Sequence, residues 1–468
     1  MAEEYSGGSP EADHLCVVVH GASTAILPPL PPFPLTVYSG SVANTRQQLW
    51  GNPNHMTQIA KALREKYPRD KLHLLVAKRN SGSFTYDGIE LGGERVCLEI
   101  EEEIQMIESR GGKIKKLSMV GYSLGGLVAR YAIGLLYARG VLDKVECMNF
   151  TAFASPFIGI RSPLLGLGND IWNVLGARSL CMSGRQLFGI DKFRDTGKPL
   201  VAVLADPKSI FMSGLAKFQR HTLYANVTND RSAVYYTTCI AKTDPYTDMS
   251  KVHAKFVPGY EDVILDPVQP LSSTPPKPPP KDSIRKWLKR VPFVLTLTVL
   301  VPIFLTAFFI NSGIQTVRSS RRVKLHEQGR AGVKSADYRV NLWIQEMREA
   351  VEHTYEDLNS AQDQAYLTSS SSTREGGESS EDDEEGQENH ALLAAERKQS
   401  QPGQPTLALA PYQFAAVRAL DKLNWRKYPV WIHKVSHSHA AIISRIDKET
   451  YSEGKVVLRH FVNEEFVI

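Results

Sequence analysis

The stretch Lys113-Ile114-Lys115-Lys116-Leu117-Ser118-Met119-Val120-Gly121-Tyr122-Ser123-Leu124-Gly125-Gly126-Leu127-Val128-Ala129-Arg130-Tyr131 decides the fold. Lys113 to Val120 reads as a basic turn running into a short buried strand. Gly126 to Tyr137 reads as an apolar helix packed on that strand. Between them stands Gly121-Tyr122-Ser123-Leu124-Gly125, a G-x-S-x-G pattern that puts a serine on a sharp strand-to-helix turn, the nucleophile elbow. Glycines two before and two after the serine suit a turn too tight for side chains. The helix N-terminus behind Ser123 also offers backbone N–H groups to a developing oxyanion.

A hydroxyl is a poor nucleophile at neutral pH, so Ser123 calls for a base and an acid that orients it. On this kind of elbow the order along the chain is Ser, then Asp or Glu, then His. Among the later histidines, His326, His353 and His390 lie in polar or low-complexity sequence and are set aside. His437-Ser438-His439 precedes the apolar run Ala440 to Ile443, on a loop at a sheet edge. His439 is preferred as base, with His437 as the alternative. For the acid, Leu223 to Val227 reads as a strand followed by Thr228-Asn229-Asp230, which sets Asp230 at a strand's carboxyl end, where catalytic groups gather in open α/β sheets. Asp206, after the apolar run Val201 to Leu204, is the runner-up, though Pro207 beside it suits an ordinary turn.

Near the start, Leu15 to Val19 is an apolar strand ending in His20-Gly21. Together with Leu49-Trp50-Gly51-Asn52-Pro53-Asn54-His55-Met56 it forms the two halves of an H-G-L-W-G-N-P-x-H-M motif. On these residues, and on Gly121 to Arg130, Asn149 to Gly159, Tyr224 to Ile240 and His437 to Arg445, the chain resembles the fungal family called "putative serine esterases". Those proteins are α/β-hydrolases similar to a lipid-droplet phospholipase of budding yeast. The resemblance implies a triad of Ser123, Asp230 and His439, and oxyanion N–H groups from Leu49 and Leu124. Residues 22–48 split the motif with a Pro-rich segment that has no period. We read it as a retained intron, the alternative being a genuine lid.

The chain has 468 residues, 42% of them hydrophobic, and a formal charge of +5. That charge is too small and its blocks too segregated for nucleic acid. No charged start followed by an apolar core and a cleavage site appears at the beginning of the sequence, so secretion is not expected. Cys16, Cys97, Cys147, Cys181 and Cys239 sit mostly in apolar runs without close pairs, which suits reduced core thiols and a domain on the cytosolic side. No Cys and His spacing suggests a metal, and the chemistry needs no cofactor.

Alternating strand and helix patterns from Leu15 to Ile240 predict an α/β fold, a mostly parallel sheet flanked by helices. Met56 to Tyr67 and Gly92 to Arg110 read as helices, the latter with Glu99, Glu101, Glu102 and Glu103 on a solvated face. Lys71 to Lys78 reads as a strand. The glycine-rich, aliphatic sequence from Ser155 to Lys198 reads as a lid or acyl-pocket insertion, or else a buried cap. Val291 to Ile310 carries no charge and has the length of a membrane span. A simple span would part His439 from Ser123 and Asp230, so a hairpin bent at Pro302 that returns to the same face is expected.

The organisation expected is a hydrolase core at 13–270, a Pro-rich linker at 271–284, a membrane-associated segment with basic flanks at 285–322, and a helical region at 323–366. A disordered acidic, Ser-rich linker at 367–406 follows. Residues 407–468 then complete the core as a helix, a histidine-bearing loop and a final strand-like segment. The function expected is hydrolysis of glycerophospholipid or neutral-lipid acyl esters at a lipid droplet or endoplasmic-reticulum membrane, with the catalytic domain facing the cytosol. A hydrolase-fold membrane scaffold without activity is the alternative.

Overall fold

Six strands, each nearly without exposed residues, set the architecture: β1 (His14–Val19), β2 (Leu72–Val76), β3 (Lys116–Tyr122), β4 (Glu146–Phe153), β5 (Arg220–Asn226) and β6 (Arg426–Val430). They form one sheet in the order β2-β1-β3-β4-β5-β6, and every neighbouring pair is parallel. This is a computed structural model, and it describes residues 2–21, 51–161, 181–247, 249, 252, 254–268, 310, 313–326, 328, 330 and 406–468. The insertion at 22–48, Leu49, the linkers at 271–284 and 367–405, and Val291 to Ile310 apart from its last residue lie outside the described residues. Among the described residues no helix is long and apolar enough to cross a membrane.

A parallel sheet covered on both faces needs apolar residues on both sides of each strand, and β1 meets that need. Leu15, Val17 and Val19 join one core cluster with Val96, Cys97 and Ile100 of α2 (Ile89–Ser109) and Leu127 and Ala132 of α3 (Leu124–Ala138). Cys16 and Val18 point the other way, into a second cluster. There they meet Ile59 and Leu63 of α1 (Thr57–Lys66) and Val457 and Leu458 of α6 (Ser452–His460). All five cysteines are free and buried.

Several expectations need correction. The carboxylates of α2 are not all on a solvated face: Glu102 is exposed, but Glu99 is not. Glu99 is buried and accepts hydrogen bonds from the backbone N–H of Lys78 and Arg79, both at 2.8 Å, so it caps the turn after β2. Burial pushes its carboxyl above the usual range despite those bonds. Glu101 pairs with Arg139, Glu102 with Arg79, and Glu103 with His73. The apolar run before Asp206 is the short helix Leu200–Leu204, so Asp206 does not follow a strand as Asp230 does. The last segment is also helical: Glu453, Val457, Leu458 and Phe461 recur at helical spacing and bury one face. β6 itself follows α5 (Pro411–Asp421) and carries Pro429, which lacks an N–H and is tolerated because β6 is the edge strand.

Within the expected lid region, residues 162–180, and with them Trp172, lie outside the description. The helix Met182–Phe188 acts as a cap: Ser183 Oγ accepts from Gly88 N at 3.0 Å, and Gln186 Oε1 accepts from Ile89 N at 2.6 Å. These bonds satisfy N–H groups at the start of α2, which has no cap of its own. A further helix, α4 over 313–326, docks on the same end of α2. Its His326 was set aside as lying in polar sequence, yet it is buried with Nε2 2.6 Å from Glu94.

Candidate active site

Ser123 ends β3 and begins α3 with φ 56° and ψ −132°, a conformation that a side-chain-bearing residue adopts only under constraint. The constraint is local. Ser123 N–H donates to Phe153 O at 2.9 Å, and Ser123 O accepts from Gly126 N at 3.1 Å. A Cβ on Gly121 would stand 2.5 Å from Gly126 Cα, and one on Gly125 would collide with Val19 O. Both glycines of the motif are therefore required by close approach of backbone. The elbow sits at the carboxyl end of β3, beside the point where the strand order reverses about β1, the usual place for a site in an open α/β sheet.

Two remote loops meet this serine. His439 Nε2 lies 2.9 Å from Ser123 Oγ, and His439 Nδ1 lies 2.9 Å from Asp230 Oδ2. Asp230 follows β5 after a turn in which Asn229 takes a left-handed φ of 59°. Its Oδ2 also accepts from Asn226 Nδ2 at 2.8 Å, and its Oδ1 accepts from Ser232 N at 3.0 Å and Ala233 N at 2.9 Å. His439 lies in the short helix Ser438–Ala441, and two bonds tether that helix. Tyr122 OH donates to His439 O at 2.8 Å, and Ser438 Oγ donates to Thr228 O at 2.6 Å. Ser123, Asp230 and His439 are all buried. An Nδ1–H held by Asp230 leaves the Nε2 lone pair directed at the serine hydroxyl.

The alternatives fall elsewhere. His437 lies near the surface two residues before His439, where partial desolvation and the nearby Arg231 and Arg445 hold its imidazole below the usual range. Asp206 accepts from Lys208 N at 2.9 Å in a surface turn. Leu124 lines a small cleft with His20, Gly21, Asn80, Phe84, Thr85, Gly88 and Val128. His20 is buried there, with neither ring nitrogen hydrogen-bonded among the described residues. Burial, with His55 close by, pushes its pKa down to about 3, so the ring is neutral. The motif halves meet in space: a Cβ on Gly51 would lie 2.9 Å from His20 Nδ1 and 3.0 Å from Gly21 O. Three supports of the site escaped sequence reasoning. Tyr122 and Asn226 carry weak signals, as the variable position of the elbow motif and the last residue of a strand; Ser438 carries none.

Residues 47–243 match the family model described as "Putative serine esterase (DUF676)". That segment contains Ser123 and Asp230 and stops before His439. The chain is 31% identical over 203 residues to a Saccharomyces cerevisiae protein named "Putative lipase ROG1", covering 42% of this chain and 27% of that protein. It is 29% identical over 164 residues to "Putative lipase YDL109C" of the same yeast, covering 35% of this chain and 24% of that one. For "Putative lipase C4A8.10" of Schizosaccharomyces pombe the identity is 25% over 129 residues, 26% of this chain and 16% of that one. The chain thus spans at most 27% of the length of these curated relatives. The family resemblance carried by the motifs is borne out.

Proposed function

We propose that this chain, similar to serine esterases over residues 47–243, hydrolyses acyl esters of membrane or droplet lipids through a covalent acyl-enzyme. The observation that carries the reading is the unbroken hydrogen-bond line Ser123 Oγ, His439 Nε2, His439 Nδ1, Asp230 Oδ2. His439 Nε2 takes the Ser123 proton as Oγ attacks the ester carbonyl, and Asp230 stabilises the imidazolium that forms. The N–H groups of Leu124 and Leu49 receive the oxyanion. Collapse of the tetrahedral intermediate expels the alcohol, which takes the proton from His439. Water, activated by the same imidazole, then releases the fatty acid and regenerates the serine.

The yeast relatives, named as lipases, favour a lipid ester over a small soluble one. Glycerophospholipid is the substrate proposed, with neutral glycerides accessible to the same chemistry. The charge-free run from Val291 to Ile310 supplies attachment to a lipid droplet or endoplasmic-reticulum surface. It returns to the face from which it left, with the catalytic domain in the cytosol.

A fluorophosphonate probe tests the chemistry directly. The parent should label at Ser123, whereas Ser123→Ala should not label and should lose ester turnover on the order of 10³-fold or more. His439→Ala should be about as damaging, and His437→Ala mild. A folded parent that refuses the probe would instead be a scaffold.

A further inference from the structure

We infer that α4, the helix over 313–326, is a docking element that seats the cleft side of the protein on an anionic phospholipid surface. The inference deepens the membrane half of the function proposed above and rests on it. A surface helix ordinarily turns its apolar stripe toward the core; this one does the reverse. Gln315, Ser319, Arg322 and His326, one helical stripe, face the protein. Ser319 Oγ donates to Tyr86 O at 3.1 Å, and Arg322 grips both oxygens of Asp87 at 2.7 to 3.0 Å and donates to Ser83 O at 2.8 Å. The other side presents Ile314, Val317 and Leu325 at 48%, 54% and 41% exposure, with Ile310 at 60% just ahead.

These four, with Phe84 at 42%, are most of the exposed large apolar side chains among the described residues. Phe84 borders the helix, with the Arg322 guanidinium 5.1 Å from its ring centre. The chemistry around the aliphatics selects lipid over a protein partner. Arg318, Arg321 and Lys324 are exposed on α4, and residues 313–326 contain no carboxylate. Aliphatic side chains interspersed with cations match the boundary between acyl chains and anionic headgroups. Continuity supports the same occupant, because α4 directly follows the charge-free run ending at Ile310. Its polar grip holds Ser83 to Asp87, the turn whose Phe84 and Thr85 line the cleft beside Leu124. Seating α4 on a lipid surface therefore brings the turn that borders the cleft close to that surface.

The five native cysteines are buried, so an exposed engineered cysteine can be labelled selectively. Full-length Val317→Cys bearing an environment-sensitive nitrobenzoxadiazole dye should shift to the blue on mixing with phosphatidylcholine–phosphatidylglycerol vesicles, and less with phosphatidylcholine alone. Lys144→Cys, exposed at the amino-terminal edge of β4, should not respond. A silent dye at 317 on protein that floats with the vesicles would overturn the docking role of α4 while leaving membrane attachment standing. Protein that floats with no vesicle would overturn both. Equal shifts on the two vesicle types would remove the anionic preference, and a dye already shielded without vesicles would mean the chain itself covers this face. Ile314→Glu/Leu325→Glu, made in the Val317→Cys background, should lose the response, and the same pair in the parent should hydrolyse vesicle phospholipid more slowly, with turnover of a short soluble ester unchanged. Loss of the soluble activity as well would mean that the face supports the fold and not the docking.

Discussion

Asp230 and Asp87 are both buried carboxylates, with side chains 2% and 0% exposed, yet their surroundings are opposites. Asp87 lies between two guanidinium groups, with Arg95 Nη2 at 2.7 Å and Arg322 bidentate on its far side. Asp230 is met by two backbone amides, the Asn226 amide and the imidazole of His439. Two cations consume the charge of Asp87, leaving a fixed lock between α4, α2 and the Ser83 to Asp87 turn. Neutral dipoles orient Asp230 without cancelling its charge, so that charge remains available to a proton arriving on His439. A buried acid is fitted for chemistry when it is held by dipoles, and for architecture when it is held by cations.

Replacing each acid by its amide separates these roles. Asp230→Asn should lower ester turnover on the order of 10³- to 10⁴-fold, because the imidazole loses both its tautomer and its counter-charge. Its melting temperature should stay near the parent's, and a large loss of stability would erase the contrast with Asp87. Asp87→Asn should do the reverse. It strands Arg95, whose side chain is 10% exposed, and should cost about 3 to 5 kcal/mol in denaturant unfolding, while the folded fraction keeps its turnover of a soluble ester. Loss of turnover without loss of stability would move Asp87 into the chemistry.

A third buried acid sharpens the comparison. Asp191 accepts from Leu200 N at 3.0 Å, and burial raises its pKa to about 6. Because the folded value lies above the unfolded one, its contribution is complete below pH ~4 and is lost as pH rises through about 6. Asp191→Asn should therefore stabilise the protein at pH 7 by about 2 to 3 kcal/mol. The gain should fade near pH 3.5. A gain that persisted in acid would assign the effect to packing.

The nucleophile's half of the site was legible because it is local. Strand, elbow and helix occupy consecutive residues, and the glycines are demanded by backbone within the motif or one strand away. The sheet was legible for a similar reason, since both faces of its strands are apolar. β6 was missed because it opens on Arg426-Lys427 and contains Pro429, which suits an edge strand and defeats a propensity reading. Short apolar runs misled in both directions. Leu200 to Leu204 has the composition of a strand, but at that length period cannot tell strand from helix. Glu99 looked solvated because its partners, the N–H groups of Lys78 and Arg79, lie 21 and 20 residues away and leave no local trace. His439 and Asp230 were found through the serine's need for them, not through any signal of their own.

Ser123 and His439 stand 316 residues apart along the chain, and that interval is also a delay. Ribosomes add about 5 to 20 residues per second, so the serine emerges roughly 15 to 60 s before the histidine. The same holds for the sheet, whose last strand, β6, must wait for everything between Asn226 and Arg426. Throughout that time the elbow has an oriented hydroxyl and no base to draw its proton. The hydrogen bond between His439 and Ser123 cannot form before that interval of chain has been made.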